Sequence, residues 1–560
     1  MEKRYELRAK YIYILFLLIF ATLALRITYL QVFKRSFFRN LSQHQYYRLV
    51  RLDGRRGKIF DRQGRTLVTE LNTYSIFADP SIVEEPEAVA ETLSAHLDIS
   101  EDALKEKLQK KKRFVWIKRK IAWEEKEKIE LLRIKGIGFM RVGRRFYPQE
   151  SIAAQILGIV DIDNKGLEGL ELFYDKYLRG KNGWAQVLQD SSSREVFISP
   201  QVLAPQGGAD IILTIDSQIQ YWVQAYLEKT IKDFSAKAGS VVVMDASTGQ
   251  IFALANYPSF NPNKINKGPL KFMKNRTITD YFEPGSVFKV VTLLAAVEKG
   301  NFTDDSTFFC ENGRYKIPGT TLHDWKPYET LTFKEVFKKS SNIGVGKVAY
   351  SLGKNTLYKY IVKLGFGAKT GIDLPGEVKG SVKSLKRWSK TSEYIIPIGQ
   401  EIGVTLLQLV RAFGVITNGG YLVKPHVVKT IQGQFFAKDT PIEKRRIIPP
   451  SSAEKVRQIL IEVVEDGTGK RARLKGVTVG GKTGTAQKYD PQLKRYSPHK
   501  YQATFVGFLS EFDPPIVIGV TIEEPRKHHF GGVVAAPLFR RIAEKIVLYF
   551  EREKVLTRSN

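Results

Sequence analysis

Three short runs of this sequence combine residue types that could transfer an acyl group through a serine ester. Ser286 and Lys289 stand in a Ser-x-x-Lys run, Ser340 and Asn342 in a Ser-x-Asn run, and residues 482–485 read Lys-Thr-Gly-Thr. A serine hydroxyl is a weak nucleophile until a base removes its proton. If Ser286 opens a helix, Lys289 follows one turn later on the same helix face. The spacing therefore predicts a nucleophile with a base beside it.

A lysine can serve as that base only if burial and neighbouring cations lower the pKa of its amine. Lys482, which arrives from a second element, would be such a neighbour of Lys289. We expect Ser340 to relay a proton and Asn342 to hold an amide group of the substrate. The three runs together therefore predict one site that is built from separate parts of the chain.

The Lys-Thr-Gly-Thr run predicts a binding site for a substrate carboxylate. Thr483 and Thr485 flank Gly484 and offer hydroxyl groups to the anion. The backbone amides of Ser286 and Thr485 would form an oxyanion hole, in which each donor contributes roughly 3–4 kcal/mol in other acyl-transfer enzymes. Strand alternation would turn the side chain of Lys482 to the opposite face, so we expect a local twist at a glycine of this segment.

Each run has a plainer interpretation when it is taken alone. A Ser-x-x-Lys spacing is common on surface helices, Lys-Thr-Gly is common in turns, and serines before an asparagine often cap a helix. The occurrence of all three in this order, each flanked by apolar segments, favours the catalytic interpretation.

The pattern of apolar residues predicts the elements that would hold these runs. Residues 287–297 predict a mostly apolar, buried helix behind Ser286, and Pro284 and Gly285 suit its entrance. Strands are predicted for residues 211–215, 240–245, 250–256, 477–485, 503–509 and 516–522, and helices for residues 218–234, 332–352 and 535–550. The Ser-x-Asn run would lie inside the helical stretch 332–352 or in a connection within it. Strands, a helical insert, then strands and a helix indicate an α+β domain. The site would be the cleft between a helix and a sheet edge.

The composition limits the classes of function. The 560 residues are enough for two or more domains, and 43% of them are hydrophobic. The net charge of +30 could indicate nucleic acid, but no zinc-finger spacing or RNA-binding motif accompanies it. An anionic membrane surface or wall polymer fits better. The single cysteine, Cys310, excludes an intrachain disulfide framework and predicts a packing residue. We expect neither a metal nor a cofactor.

The N-terminal segment predicts a membrane anchor. Residues 11–33 contain one charged residue, Arg26, and can cross a bilayer as one helix after a short tail of residues 1–10. Arg26 would reach toward the interface. Basic residues flank both ends of the segment, so charge does not decide its orientation. A cleaved signal peptide is the competing interpretation, since Thr22 and Ala24 resemble small cleavage-site residues.

The segment between the anchor and the three runs, residues 34–205, is interpreted as a separate pedestal domain. Glu168 and Glu171 could form a catalytic carboxylate pair there. No nucleophile or metal ligand accompanies the pair, so packing is the preferred interpretation. A Gly-Gly linker opens residues 206–550, the predicted catalytic domain, and residues 551–560 form a tail.

The ordered triple of runs is similar to the signature of β-lactamases and penicillin-binding proteins. From end to end the sequence resembles the class B penicillin-binding proteins, most closely the division-type septal peptidoglycan D,D-transpeptidases. Other runs that resemble this family are residues 56–64, 145–148, 166–171, 245–263, 371–377, 404–409 and 531–537. Two positions outside the three catalytic runs depart from its pattern. Leu406 replaces a proline that is common there, and Glu401 stands where the family often has glycine.

The resemblance implies a fold and a reaction. The fold would be a penicillin-binding transpeptidase domain, similar to serine β-lactamases, with an antiparallel sheet and a helical subdomain. A mixed pedestal of the dimerisation type and one N-terminal transmembrane helix would precede it. Ser286 would attack the penultimate D-alanine carbonyl of a D-Ala-D-Ala stem peptide, release the terminal D-alanine and pass the acyl group to an amine on a neighbouring stem. β-Lactams would acylate the same serine.

The resemblance also implies partners and a location. A single span in the inner (plasma) membrane would anchor the protein, with residues 1–10 as a cytoplasmic tail and the catalytic domain outside the cytoplasm. The partners would be peptidoglycan stem peptides, a polymerising glycosyltransferase of the shape-elongation-division-sporulation family and other division proteins. The resemblance implies no nucleic acid.

Three rival functions stay open at this point. An elongation-type transpeptidase would share the whole layout. A D,D-carboxypeptidase or β-lactamase-like hydrolase would share the fold but would need a positioned water, and the large pedestal and the anchor argue against it. A non-enzymatic sensor or scaffold would keep the fold without the chemistry, and the intact Ser286, Lys289 and Lys482 argue against that.

Overall fold

The structure is a computed structural model that describes residues 2–38, 47–189, 195–267, 270–300, 302–490 and 495–559. The chain forms two compact units. One consists of Met1–Arg55 and Gly180–Gly208, and the other of Arg56–Arg179 and Ala209–Asn560. All three runs predicted to carry chemistry lie in the second unit.

The first unit contains the predicted anchor. An α-helix, Glu2–Thr28, continues as a π-helical turn, Tyr29–Phe33. The helix is long and apolar enough to cross a membrane, and its apolar side chains are exposed. A three-stranded antiparallel sheet also belongs to this unit, with its strands in the order Tyr47–Leu52, Gly183–Gln189, Glu195–Leu203.

A five-stranded antiparallel sheet, the central sheet, positions the candidate site in the second unit. Its strands lie in the order Ile251–Tyr257, Ala238–Asp245, Ile516–Glu523, Arg495–Leu509, Val479–Asp490. The last of these, the motif strand, is at the edge and carries Lys482, Thr483 and Thr485. An edge strand has one row of backbone groups outside the sheet ladder. That row is therefore available to a substrate.

Helices cover both faces of the central sheet and divide the apolar core in two. The helix Ser217–Asp233 and the C-terminal helix, Gly531–Ser559, pack on one face, and the helix Leu406–Thr417 packs on the other. Val241 lies in the core beneath the helices Ser217–Asp233 and Gly531–Ser559, and its neighbour Val242 lies in the core beneath Leu406–Thr417, as strand alternation requires. The layers of helix, sheet and helix confirm the α+β prediction.

The helical subdomain and the pedestal part supply the remaining α-helices. They are Pro86–Ser94, Glu101–Leu108, Trp123–Leu131, Ala154–Leu157, Gly169–Phe173, Asp175–Leu178, Arg276–Thr279, Lys289–Lys299, Phe333–Lys338, Asn342–Leu352, Lys354–Lys363, Ser392–Ile395 and Pro450–Asp466. Three short antiparallel strand pairs accompany them: Thr307–Phe309 with Thr330–Thr332, Arg314–Ile317 with Thr320–His323, and Tyr421–Val423 with Lys444–Arg446.

A second sheet of this unit joins pedestal strands to strands of the catalytic part. Its order is Ala437–Asp439, Val428–Gln432, Asp210–Leu213, Ile59–Phe60, Thr66–Ala78, Val115–Ile121, with Ile137–Phe146 paired to Thr66–Ala78. The pedestal segment Arg56–Arg179 and the catalytic part therefore share backbone hydrogen bonds within one unit.

Glu171 is a buried structural carboxylate of the pedestal part. Its Oε2 lies 2.6 Å from Arg56 Nε, and its Oε1 lies 2.6 Å from Arg145 Nε. A buried carboxylate must be paired in this way, because an isolated charge loses its hydration. Glu168 is exposed. This arrangement agrees with the packing interpretation of the two glutamates.

Candidate active site

Ser286 lies at the start of the helix that the sequence predicts for it. The 3-10 turn Gly285–Phe288 leads directly into the α-helix Lys289–Lys299. Gly285 has a φ of +54°, which glycine adopts without steric cost. Its N–H donates to the carbonyl of Gly399 at 3.1 Å. Ser286 itself is partly exposed, whereas the residues that follow it are buried.

The amine of Lys289 is buried at the bottom of the site. It donates to the Ser340 carbonyl at 2.7 Å, to Ser340 Oγ at 3.2 Å and to Asn342 Oδ1 at 2.8 Å. A lysine amine in its charged form has three hydrogens, so these acceptors can satisfy all of them. Two of the predicted runs therefore meet at this amine.

Lys482 reaches the same hydroxyl from the edge of the central sheet. Its amine donates to Ser340 Oγ at 2.8 Å and to the Thr483 carbonyl at 3.3 Å. Ser340 Oγ consequently lies between the amines of Lys289 and Lys482. The structure thus brings together Lys289, Ser340, Asn342 and Lys482.

Burial lowers the pKa of both amines. The pKa of Lys289 falls to about 7, and the nearby carboxylate of Asp324 opposes this shift only in part. The pKa of Lys482 lies well below its usual range, because of burial and the neighbouring charge of Lys289. Only a neutral amine can accept a proton, and a lowered pKa makes that form available near neutral pH. The pair can therefore act as a base.

The hydroxyl of Ser286 is not hydrogen-bonded to this cluster within the part of the chain that the structure describes. Catalytic hydrogen bonds are often long without substrate and shorten when it binds. Ser286 nevertheless precedes Lys289 by one turn at the same helix start. Its role as the nucleophile remains a prediction that the spacing supports.

The Ser-x-Asn run lies in a break between the helices Phe333–Lys338 and Asn342–Leu352. Ser340 has a φ of +60°, a conformation that costs a non-glycine residue about 1–2 kcal/mol. Ser341 caps the second helix, because its Oγ accepts from the Gly344 N–H at 2.9 Å. Of the two predicted placements, the run therefore has the one in a connection between helices. The break turns both oxygens of Ser340 toward Lys289.

Asp324 holds the Ser-x-Asn run in place, and no sequence motif predicted this role for Asp324. Its Oδ2 accepts from Ser341 Oγ at 2.6 Å, and its Oδ1 accepts from the N–H groups of Asn342 and, at 3.1 Å, Ile343. A carboxylate at a helix N-terminus is favoured by the helix dipole as well. No spacing rule connects Asp324 to the Ser-x-Asn run, since a hairpin and a loop bring them together.

Replacing Asp324 by alanine should slow acylation by a β-lactam about tenfold or more, because three hydrogen bonds that orient the Ser-x-Asn run are lost. It should also lower the pKa of Lys289 further, since the Asp324 carboxylate now raises it. The rate should then begin to fall at a lower pH than in the wild type. Stopped-flow acylation measured across the neutral pH range tests both effects.

The matched control for that variant is Asp305→Ala, which removes an exposed aspartate. Its rate and pH profile should equal those of the wild type. An Asp324→Ala protein with wild-type rate and an unshifted profile would contradict the positioning role.

The two threonines of the Lys-Thr-Gly-Thr run contact the start of the C-terminal helix and its surroundings. Thr485 Oγ1 accepts from the Gly531 N–H at 3.0 Å, and Thr483 Oγ1 lies 2.9 Å from Thr468 Oγ1. A helix N-terminus attracts anions, because its first N–H groups have no partner inside the helix. Thr468, a third hydroxyl at this place, was not predicted.

The side chains of the motif strand alternate without a local irregularity around its glycines. The ladder to Arg495–Leu509 keeps its register from Val479 to Gln487. A Cβ atom added to Gly484 would lie 2.6 Å from the Pro284 carbonyl oxygen, so this side of Gly484 faces the turn that carries Ser286. Lys482 shares that face. Lys482 contacts Ser340, whereas the hydroxyls of Thr483 and Thr485 contact Thr468 and Gly531. The local twist that we expect at Gly481 or Gly484 remains a prediction.

The free edge of the motif strand faces the turn of Ser286. The Thr485 carbonyl lies 3.2 Å from the position that a Cβ on Gly285 would occupy. The N–H and C=O of one strand residue point to the same side. The Thr485 N–H therefore points toward this turn too, which suits the oxyanion hole predicted from the amides of Ser286 and Thr485.

Replacing Thr483 and Thr485 together by valine should weaken acylation by substrates that carry a carboxylate. Each lost hydroxyl contact to a charged group should cost about 1.5–3 kcal/mol. An analogue that lacks the carboxylate should be affected far less. The measurement is the acylation rate of the two compounds with the purified variant.

Thr521→Val is the matched control, because it removes another buried threonine hydroxyl of the central sheet. It should slow neither compound selectively. Equal losses for both compounds in the double variant would mean that the threonines shape the site and do not bind the carboxylate.

The two departures from the family pattern have local explanations. Leu406 is the first residue of the helix Leu406–Thr417, which Thr405 caps. Proline is favoured there because its missing N–H is not needed at that position, so leucine is tolerated as well. Glu401 has a φ of +56°, a conformation that glycine adopts freely. Side-chain contacts hold Glu401 in it.

Cys310 is buried, and burial raises the pKa of its thiol. This agrees with the prediction of a packing residue, since only the thiolate is a good nucleophile. Within the described ranges, no group of His, Cys, Asp or Glu side chains is arranged to hold a metal ion.

Comparison with known proteins points to one family. The model of the penicillin binding protein transpeptidase domain matches residues 239–544, and that of the penicillin-binding protein dimerisation domain matches residues 51–213. These matches include the three runs of the site and most of the predicted pedestal.

Individual relatives extend the similarity over nearly the whole chain. A probable peptidoglycan D,D-transpeptidase PenA from Neisseria gonorrhoeae is 34% identical over 96% of this chain and 91% of its own length. The peptidoglycan D,D-transpeptidase FtsI of Escherichia coli is 31% identical over 94% and 89%. The crystal structure of penicillin binding protein 3 from Mycobacterium tuberculosis, complexed with aztreonam, superposes with a TM-score of 0.71 at 28% identity, covering 90% of this chain and 98% of that one.

Proposed function

The chain belongs to the penicillin-binding protein transpeptidases, and we infer that it cross-links peptidoglycan stem peptides during septal wall synthesis. It is a serine-type peptidoglycan D,D-transpeptidase. The observation that carries its mechanism is the hydroxyl of Ser340, which lies between the buried amines of Lys289 and Lys482. A hydroxyl both donates and accepts a hydrogen bond, so it can pass a proton between the two amines.

Acylation begins when neutral Lys289 removes the proton of Ser286. The Ser286 oxygen attacks the penultimate D-alanine carbonyl of the stem peptide, and the amides of Ser286 and Thr485 stabilise the oxyanion. The amide bond then breaks. The proton that Lys289 took passes through Ser340 and Lys482 to the amine of the departing D-alanine, and the acyl group remains on Ser286 as an ester.

Deacylation reverses these roles. An amine of a neighbouring stem attacks the ester, gives up a proton along the same route and forms the new amide, while Ser286 regains its hydrogen. A β-lactam undergoes only the acylation half of this reaction. Its leaving amine stays attached after the ring opens, so it blocks the approach of the acceptor and the ester persists.

Asn342 would orient the substrate while it holds Lys289. Its Oδ1 accepts from the Lys289 amine, and its Nδ2 donates to the His323 carbonyl at 2.8 Å. A side-chain amide has two hydrogens on nitrogen, so one remains for a substrate carbonyl. Thr483 and Thr485 would receive the terminal carboxylate, which stem peptide and penicillin share.

The decisive experiment pairs labelling by a fluorescent penicillin with a cross-linking assay on purified protein. We expect stable labelling and formation of cross-linked stem peptides with release of D-alanine. Rapid turnover of penicillin would favour the hydrolase instead. Failure to label at all would favour the sensor or scaffold.

The septal role and the partners are the finer part of this proposal. The resemblance to division-type members supports septal synthesis, together with a glycosyltransferase of the shape-elongation-division-sporulation family and other division proteins. Depletion of the protein should produce filaments, because septa fail to close. Loss of rod shape without filaments would favour the elongation-type alternative.

Anchoring in the plasma membrane, with the catalytic domain outside the cytoplasm, is proposed from the apolar N-terminal helix and the site of the wall polymer. We place the pedestal at residues 34–205 and the catalytic domain at residues 206–550. An enzymatic reporter that works only outside the cytoplasm, fused after residue 559, should be active. An inactive reporter would contradict this orientation.

A further inference from the structure

Glu283 lies three residues before Ser286 and contacts two different walls of the cleft. Its Oε1 accepts a hydrogen bond from the Tyr496 hydroxyl at 3.0 Å and another from the Glu401 N–H at 2.9 Å. Tyr496 belongs to the strand Arg495–Leu509 of the central sheet. Glu401 belongs to residues 399–404, here the support loop. One carboxylate oxygen therefore joins the sheet, the support loop and the chain that leads into Ser286.

The support loop runs beside residues 282–285, here the entrance segment. Phe282 and Val404 exchange two backbone hydrogen bonds, both of 3.0 Å, and the Gly285 N–H donates to the Gly399 carbonyl at 3.1 Å. The entrance segment is thus attached to the loop at both ends. The Glu283 side chain adds a hydrogen bond from the middle of the segment to the central sheet, through Tyr496.

Glu401 is itself held in a strained backbone conformation. Its φ is +56°, and its Oε2 accepts from the Lys383 amine and from Ser392 Oγ, each at 2.8 Å. A non-glycine residue persists in the left-handed region only when its surroundings impose it. The N–H that Glu401 offers to Glu283 is therefore fixed in direction. The support loop presents a prepared donor to the entrance segment.

We propose that Glu283 is a positioning residue for the nucleophile, and that it fixes the turn of Ser286 by joining the support loop to the central sheet. This inference rests on the proposed function, in which Ser286 attacks the substrate. Both of its contacts use Glu283 as an acceptor only, and neither involves a reacting group. The oxygen of a neutral amide could accept the same two hydrogen bonds. The negative charge is therefore not what the role requires.

A positioning role predicts a specific kinetic defect. Attack by Ser286 needs the oxygen held close to the substrate carbonyl, and a misplacement of about 1 Å can cost roughly a hundredfold in rate. The contacts that bind the substrate carboxylate lie on the motif strand, not on the entrance segment. The maximal acylation rate should therefore fall, while the concentration of penicillin that gives half of it stays nearly constant.

Three variants of the full-length protein test the proposal with a fluorescent penicillin in stopped-flow saturation experiments. Glu283→Ala should lower the maximal acylation rate about tenfold to a hundredfold. Tyr496→Phe, which loses one of the two donors, should lower it about threefold to tenfold. Glu283→Gln should stay within about threefold of the wild type, because the amide oxygen keeps both contacts. Tyr489→Phe, a tyrosine opposite Tyr496 on the motif strand, is the control and should change nothing.

Each other result overturns the proposal. If Glu283→Gln is as slow as Glu283→Ala, the charge is required and Glu283 acts on substrate or protons directly. If only the half-saturating concentration changes, Glu283 binds substrate. If all three variants match the wild type, Glu283 does not position Ser286. Should Glu283→Ala fail to fold, the other two variants still decide. A wild type that is never acylated at Ser286 would instead overturn the proposed function.

Discussion

Replacing Ser286 by alanine is expected to abolish covalent labelling by penicillin while the protein stays folded. In the proposed mechanism the ester forms on Ser286, and loss of the nucleophile in a serine acyl-transfer enzyme costs about a millionfold in rate. The fold should survive, because Ser286 is partly exposed and its hydroxyl makes no hydrogen bond within the described ranges. Fluorescence on a denaturing gel, intact mass and a thermal unfolding curve measure these outcomes.

Ser384→Ala provides a matched control for this variant. Ser384 is exposed and stands directly before a 3-10 turn, Leu385–Arg387, which its side chain does not cap. Its labelling should equal that of the wild type. Mass spectrometry of the labelled wild type should place the adduct on Ser286. An adduct on Ser340, or full labelling of Ser286→Ala, would refute the assignment.

Most of the central sheet was predictable, because three of its strands and the second half of Arg495–Leu509 are largely apolar runs buried on both faces. The residues at which the elements begin and end could not be predicted. The motif strand continues to Asp490, beyond the predicted end at residue 485, since it pairs as a hairpin with polar residues of Arg495–Leu509. The C-terminal helix begins at Gly531, before the predicted residue 535. Its first turn packs on the motif strand, a tertiary contact that no local pattern reveals.

The residues of the candidate site could be predicted where they stand together in short sequence motifs. Lys289, Ser340, Asn342 and Lys482 stand in short runs, and the structure brings them together. Residues that position these runs act across the fold and belong to no run. Asp324 is the example: its contacts with the Ser-x-Asn run exist only because a hairpin folds back on a helix start. Such residues are recognised by their contacts in the folded protein, which the spacing of residues in the sequence does not predict.

The structure decides between the two placements of the Ser-x-Asn run that the sequence left open, inside a helix or in a connection. Residues 332–352 have the apolar spacing of a single helix, yet the chain breaks at Ser340, where φ is +60°. The strain is offset by the hydrogen bonds that Ser340 receives from Lys289 and Lys482. A continuous helix would bury those two amines without their acceptor, and an unpaired buried polar group is costly. The backbone conformation at Ser340 is therefore set by the hydrogen bonds of the site and not by the helical spacing of the apolar residues.

Replacing Lys289 by arginine should lower the acylation rate about 10²–10⁴-fold, the range that a general base contributes. A guanidinium group keeps its proton at any physiological pH, so it supplies the charge of lysine without its basicity. Lys299→Arg, at the exposed end of the same helix, should leave the rate unchanged. Stopped-flow measurement with a fluorescent penicillin gives the rate of each variant.

The pH dependence identifies what Lys289 does. Its pKa is lowered to about 7, so its amine is charged below that pH and neutral above it. Only the neutral amine accepts the proton of Ser286. The wild-type rate should therefore rise as the pH increases through about 7 and then level off, and Lys289→Arg should lose this rise along with most of its rate. An arginine variant that acylates at nearly the wild-type rate would mean that Lys289 supplies only a positive charge, and Lys482 would then be the remaining candidate for the base.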